Sequence, residues 1–310
     1  EHKHGTPILP KHLNTLALTK ARHGIRLISM SAAMPNSIPL EDCFEDVIGK
    51  ACRGLGIEDA TLSFLTGVQE ETIAALKEGE FNEEGARALC STLGLDADSL
   101  VAMARGEWAP EPLELDGLRQ FHSDYRGEMT VNAYLAWDAA TGAAAIFDTG
   151  ASADELLAAV EELGVEVKAV LLTHTHHDHI IELERVLAAT GRPPVYVSER
   201  EPVPGADLIV PGKSFQIGGL AIETRLTAGH SIGGISYVIY GLARPVAVVG
   251  DALFSSSMGG GVISFPQALE CNRKELFTLP DDCVVCPGHG PMTTIGEEKA
   301  HNPFYPEFKR

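Results

Sequence analysis

Near the amino end, apolar residues recur at three- and four-residue spacing in five consecutive stretches: 43–54, 58–66, 70–78, 83–93 and 98–105. That period places one apolar stripe on each of five short helices. Gly56, Gly67, Gly79 and Gly94 punctuate them. The proline-bounded stretch Trp108-Ala109-Pro110-Glu111-Pro112 then closes the helical pattern and marks a boundary. Beyond it, Val131–Trp137 and Ala143–Phe147 predict a β-hairpin turning at 138–142. Ala153–Leu163 predicts an amphipathic helix, Lys168–Leu172 a buried strand and Ile180–Ala189 a further helix. Short apolar runs at 195–197, 215–217, 221–226, 235–239, 246–249 and 284–286 each predict a strand. Strands and helices mixed over about 200 residues predict an α+β fold with helices outside two sheets, an αββα sandwich, carrying a small all-α domain. The predicted division is an arm over 1–40, a helical domain over 41–108 and a mixed domain over 112–310.

Within the helical segment, Leu55-Gly56-Ile57, Leu65-Thr66-Gly67-Val68, Ile73–Leu76 and Leu93-Gly94-Leu95 resemble a Cro/repressor-type helix-turn-helix domain. Charge argues against the duty that resemblance implies. Residues 41–108 hold 15 acidic side chains against Lys50, Arg53, Lys77, Arg87 and Arg105. The helix that would read DNA opens Gln69-Glu70-Glu71, turning carboxylates toward phosphates, whereas duplex binding draws on cations. The segment is therefore expected to be structural, or a surface for a protein contact or self-association, and not a nucleic-acid binder. The whole chain carries 24 basic against 43 acidic groups, which also disfavours anionic membranes.

Residues 1–33 differ from the rest: Lys3, Lys11, Lys20, Arg22 and Arg26 oppose Glu1 alone. This arm reads as a leader outside the fold, with a start near Met30 or Met34 expected and a secretory signal disfavoured by Ser29 and Ser31. Six cysteines in 310 residues predict a reducing, cytoplasmic setting. Cys283 and Cys286 lie three apart on a predicted strand, facing opposite sides, and read as structural.

The chemistry is concentrated where apolar runs end. Ala169–Leu172 runs into Thr173-His174-Thr175-His176-His177-Asp178-His179. His230 follows the run at 221–226, Asp251 the run at 246–249 and His289 the run at 284–286. Imidazole and carboxylate are the donors that suit zinc, manganese and iron. Loops at strand ends let several of them converge. His177 alternates away from the others and is not expected to ligate; His122 and His301 are expected to be structural.

These motifs resemble the metallo-β-lactamase superfamily over roughly 112–310, and especially its glyoxalase II (hydroxyacylglutathione hydrolase) branch. Asp148-Thr149-Gly150, Gly250-Asp251-Ala252-Leu253-Phe254, Pro287-Gly288-His289-Gly290-Pro291 and Asn302-Pro303-Phe304 carry the likeness. The resemblance implies an αββα sandwich holding two divalent metal ions, zinc foremost, with iron and manganese suited by the same donors. His174, His176 and His230 would hold one ion; Asp178, His179 and His289 the other; Asp251 would bridge them. Asp148 and Thr173 would support the ligands from behind. Asp178 and Asp251 would serve catalysis, and the implied reaction is hydrolysis of a small-molecule thioester by a hydroxide shared between the ions. Tyr237, Arg273, Lys274 and Lys299 are the weak candidates for substrate contacts. Ser255–Gly261 reads as a flexible loop, either a lid over the substrate or a plain turn. Two rival activities use the same residues: a mono-iron persulfide dioxygenase on His174, His230 and Asp251, and a metal sensor acting through the helical domain.

Overall fold

The computed structural model describes residues 38–309, together with a two-residue antiparallel pair, β1 (Thr19–Lys20) with β2 (Ile25–Arg26). Most of the basic arm expected over 1–40 lies outside the described residues. The first five helices are α1 (Phe44–Leu55), α2 (Asp59–Thr66), α3 (Glu70–Lys77), α4 (Glu83–Leu93) and α5 (Ala97–Arg105). Their ends follow local chemistry. Asn82 and Asp96 accept from the backbone N–H groups of Gly85 and Ser99, each at 2.8 Å, satisfying donors the helix leaves open. Gly94 ends α4 in the left-handed conformation.

The first sheet is built from β3 (Leu118–Tyr125), β4 (Met129–Trp137), β5 (Ala143–Phe147), then α6 (Asp154–Leu163), β6 (Glu166–Leu171), α7 (His177–Ile180), α8 (Leu183–Ala189), β7 (Val195–Ser198) and β8 (Asp207–Ile209), its six strands lying in sequence order. The second uses β9 (Ser214–Ile217), β10 (Leu220–Leu226), β11 (Ile235–Tyr240), β12 (Val246–Gly250), α9 (Phe265–Cys271), β13 (Val284–Pro287), β14 (Thr293–Thr294) and α10 (Ile295–His301), ordered β14-β13-β12-β11-β10-β9. The α+β sandwich expected from the sequence is present, with a helical region at the amino end.

Two differences have clear causes. The helix expected over Ile180–Ala189 starts three residues later, as α8, with Ile180 closing the short α7, because the His179 carbonyl accepts from Thr149 N–H (2.8 Å) and Thr149 Oγ1 (2.9 Å) in place of the next helical turn. The edge strand β3 was not expected, since its pattern Leu-Arg-Gln-Phe-His-Ser-Asp-Tyr lacks strict alternation, yet it pairs along its full length with β4.

Three apolar clusters form the core. One lies between the sheets and includes Tyr134, Phe147, Leu171, Ile222, Tyr237 and Cys286. A second packs α6 and α8 on the outer face of the first sheet. The third joins the helical segment to the outer face of the second: Val47, Ile48, Leu89 and Leu100 share it with Val238, Ala247, Val285 and Phe265. Cys283 belongs to this outer cluster and Cys286 to the inner one, and both thiols are free. The five helices thus serve as an outer layer of the sandwich, within one unit spanning Asn36–Arg310. No helix among the described residues is long and apolar enough to cross a membrane.

Candidate metal centre

Strand direction assembles the site. β5 runs parallel to β6 and β12 parallel to β13. β10 is two antiparallel steps from β12 and so points the same way. Asp148, the His174–His179 loop, His230, Asp251 and His289 therefore all leave the same end of the sandwich, which is where topology lets separate loops meet.

Donor atoms of His174, His176, His230 and Asp251 lie within 4.8 Å of one another, as do those of Asp178, His179 and His289. Asp251 stands between the groups: its Oδ2 is 3.2 Å from His230 Nε2, 3.3 Å from His289 Nε2 and 3.9 Å from His174 Nε2, and its Oδ1 is 3.4 Å from His179 Nε2. Asp178 Oδ2 is 3.5 Å from His289 Nε2 and 3.6 Å from His179 Nε2.

Hydrogen bonds behind the rings set which nitrogen is free. His230 Nδ1 faces the Gly260 carbonyl at 3.1 Å and His289 Nδ1 the Thr130 carbonyl at 2.6 Å. Carbonyls only accept, so both Nδ1 atoms carry protons and Nε2 is the nitrogen each ring turns inward, the one that ligates when it holds no proton. His179 Nδ1 donates to Asp148 Oδ2 at 2.9 Å, and Asp148 also accepts from Thr173 N–H and Thr173 Oγ1. Thr173 Oγ1 in turn lies 3.1 Å from His174 Nδ1. The proton Thr173 gives to Asp148 leaves its oxygen to accept from His174.

Two glycines make room for this packing. A Cβ on Gly288 would sit 2.1 Å from Asp251 Oδ1, and one on Gly259 would sit 2.8 Å from His230 Nδ1. Asn132, not anticipated from the sequence, braces the His289 loop. Its Nδ2 donates to the Pro287 and Gly290 carbonyls at 2.9 and 2.8 Å, and Tyr134 OH donates to the Pro287 carbonyl at 2.7 Å. The available signal was an amide inside an apolar strand, Val131-Asn132-Ala133, which must be bonded when buried. His122 lies 2.8 Å from Asn132 Oδ1. His177 is exposed, 3.0 Å from Tyr125 OH. His301 stacks on Trp108 with ring centroids 4.3 Å apart.

The weak substrate candidates stand elsewhere. Tyr237 is fully buried between the sheets and donates to the Leu172 carbonyl. Arg273 pairs with Glu307, Lys274 with Glu270 and Lys299 with Asp281. None of the four lines the opening over the metal ligands. The loop after Asp251 is also not the flexible element expected: Ser255–Gly259 is buried. Ser256 N–H donates to Glu298, Ser257 Oγ bonds Asp42, and the Ser257 and Met258 carbonyls accept from Asn302 and Lys50. Those anchors come from elements distant in sequence, which is why a Ser/Gly composition misled.

The family model for the metallo-beta-lactamase superfamily matches residues 126–289, a span holding all seven converging side chains. The chain belongs to the metallo-beta-lactamase superfamily. It is 34% identical over 187 residues to a probable metallo-hydrolase of Streptococcus pyogenes serotype M6, covering 52% of this chain and 80% of the relative. Identity is 31% with hydroxyacylglutathione hydrolase GloC of Haemophilus influenzae, covering 56% of this chain and 92% of the relative. Among solved structures, ETHE1 from Myxococcus xanthus is similar at 29% identity and TM-score 0.55, covering 61% of this chain and 84% of that one.

In this metallo-beta-lactamase-fold chain the donor set fits divalent cations. His179 Nε2 and Asp251 Oδ1 are buried without a hydrogen-bond partner, an arrangement that is unfavourable unless something binds there. His176 Nδ1 lies 3.1 Å from His174 Nε2 and 3.0 Å from His230 Nε2, so lone pairs crowd together where a cation would accept them. Burial holds the His174 and His230 pKa values below the ordinary imidazole value, favouring the neutral, ligating form. Burial works against charge on Asp251, but His289, His179 and His230 outweigh it and keep its pKa well below the usual carboxylate range. Burial likewise opposes charge on His289, but Asp251 prevails and raises it to about 9. The Asp251 charge attracts either a proton or a metal ion, so the two compete.

Proposed function

We propose that this chain is a dinuclear metal-dependent hydrolase of acyl thioesters, of the hydroxyacylglutathione hydrolase kind. His174, His176 and His230 would hold one ion, Asp178, His179 and His289 the other, with Asp251 shared; zinc suits the set, and iron or manganese would also be accepted. The observation that carries the reading is Asp251, within 4 Å of imidazoles from both groups. The relative named hydroxyacylglutathione hydrolase supports the substrate class.

Ions bound there supply water acidic enough to ionise near neutral pH and a Lewis acid for the carbonyl oxygen. The chain's own part is orientation and proton handling. Asp178 keeps 14% of its side chain exposed, so it can orient the attacking water and hold its proton at a carboxylate oxygen. Asp148 fixes His179, and Phe254 and Met129 wall the opening with apolar surface. The rival mono-iron dioxygenase would use only His174, His230 and Asp251, leaving the buried, unpartnered His179 Nε2 without a role.

The test is thiol release from S-lactoylglutathione by metal-loaded protein. Turnover should exceed that of Asp251→Ala by at least two orders of magnitude; equal rates would remove the thioester assignment. One iron per chain, with oxygen uptake on glutathione persulfide, would transfer the assignment to the dioxygenase.

A further inference from the structure

A cavity of about 260 Å³ opens over the metal ligands. Most of its wall lies within residues 126–289, but two lining residues do not. Glu41 and Lys50 come from the stretch leading into α1 and from α1 itself, well before residue 126, where the family match begins. The position is built. Lys50 Nζ bonds the Asp42 carboxylate and donates to the Met258 carbonyl at 2.8 Å, fixing α1 to the loop whose Gly260 carbonyl holds His230. The backbone at Glu41 lies against Gly290, so close that a Cβ there would come within 3.1 Å of the Glu41 nitrogen.

Lys50 is therefore committed as a pin. Glu41 is not: its carboxylate makes no hydrogen bond or ion pair among the described residues, and burial, partly offset by His289, raises its pKa to about 7. A carboxylate that lines the opening with the metal-ligand side chains, partly buried and without a partner, is poised to accept from a ligand. The part of a thioester that must lie within a few ångströms of the ligands is its acyl carbonyl and the carbon next to it.

We infer that Glu41 is a specificity-determining residue, accepting a hydrogen bond from a hydroxyl or ammonium group on the α-carbon of the acyl portion. This rests on the thioester-hydrolase reading and deepens it: the helical segment supplies part of the substrate wall. Glu41 selects substrates by hydrogen bonding and takes no part in holding the metals.

The experiment compares metal-loaded wild type, Glu41→Gln and Glu41→Ala on lactoyl, alanyl and propionyl thioesters of one thiol. These acyl groups differ only in carrying hydroxyl, ammonium or hydrogen on the α-carbon. Wild type should favour a donor-bearing acyl group over propionyl in kcat/KM by on the order of tenfold, the scale of one charge-assisted hydrogen bond. Glu41→Ala should bring that ratio to near one. Glu41→Gln, whose amide oxygen still accepts, should keep a preference for hydroxyl and lose one for ammonium. An unchanged ratio in Glu41→Ala, or no preference in wild type, overturns the assignment. So does loss of bound metal in Glu41→Ala, which would make Glu41 a ligand. If wild type cleaves none of the three, the hydrolase reading fails on its own, and calorimetric binding to the metal-loaded protein decides on Glu41. Tighter binding of lactate or alanine than of propionate, abolished in Glu41→Ala, sustains it; equal affinities end it.

Discussion

Replacing Asp148 by asparagine changes one atom and should disable half of the metal centre. Asp148 Oδ1 accepts from Thr173 N–H at 2.8 Å, while Oδ2 accepts from Thr173 Oγ1 at 2.7 Å and from His179 Nδ1 at 2.9 Å. Asparagine can put its carbonyl at only one of these positions. The backbone N–H of Thr173 cannot become an acceptor, so the carbonyl must take the Oδ1 place and the NH₂ must face Thr173 Oγ1 and His179 Nδ1. The hydroxyl can turn to accept. His179 can accept only if its proton moves to Nε2, where it meets Asp251 Oδ1 at 3.4 Å and Asp178 Oδ2 at 3.6 Å. An Nε2–H cannot ligate, and full burial of the ring prevents it from swinging out. Lost support behind a metal-ligating histidine typically lowers affinity 10–100-fold, about 1.4–2.7 kcal/mol. Competitive titration of apoprotein against a chromophoric chelator should resolve a weakened equivalent, belonging to Asp178, His179 and His289, beside one near wild-type strength. Metal-free thermal stability should fall by about 1 kcal/mol, because the Thr173 hydroxyl, now accepting from the amide, loses the acceptor that Asp148 Oδ2 gave its proton. Asp148→Ala, by contrast, orphans the Thr173 N–H and should lose about 1–3 kcal/mol even without metal. Two equivalents bound by Asp148→Asn at wild-type affinity would refute the tautomer reasoning.

Gly288→Ala should cost more than tenfold in metal affinity, because its Cβ would fall 2.1 Å from Asp251 Oδ1 while Gly288 N–H and carbonyl are held by Gly250 and Asn132 at 2.8 Å each; metal content after gel filtration reads it. Lys50→Met removes one side of a largely buried pair and leaves Asp42 uncompensated, so unfolding in urea should show a loss of roughly 3 kcal/mol. Burial raises the Glu298 pKa from 4.5 to about 8. The fold then holds that proton more tightly than the unfolded chain, so this group's stabilisation is full below about pH 4.5 and declines toward pH 8, by about 1.4 kcal/mol per unit. Urea midpoints for Glu298→Gln should show a shallower fall over that window than wild type, and parallel curves would contradict the burial argument.

The sequence made the ligands legible because each one interrupts an apolar run. A histidine or aspartate two or three residues past Leu172, Val249 or Cys286 stands at a place where packing no longer dictates the residue. The five helices were legible for the complementary reason: their apolar period is set by one buried face each, and glycines mark the ends. What stayed hidden depends on contacts between distant segments. Ser255–Gly261 looks flexible in isolation because serine and glycine carry no apolar signal; its rigidity comes from Glu298, Asn302, Asp42 and Lys50, reached only in the folded chain. Tyr237, Arg273, Lys274 and Lys299 were attractive by residue type alone, and their partners are a core carbonyl and three carboxylates.

The helical segment brings these two lessons together. Its acidic charge was enough to turn the expectation away from DNA, but charge balance cannot say where an unpartnered carboxylate will lie. The apolar stripe of α1 settles that: Val47, Ile48 and Ala51 join the cluster on the outer face of the second sheet, and this docking turns Lys50 and the chain before it toward the end of the sandwich where the ligands gather. Glu41 follows because its backbone is pressed against Gly290, one residue past His289. Packing on one face of the sheet thus delivers chemistry to its edge. Any substitution that loosens α1 from the sheet should disturb His230, through Met258 and Gly260, before it touches the other ligands.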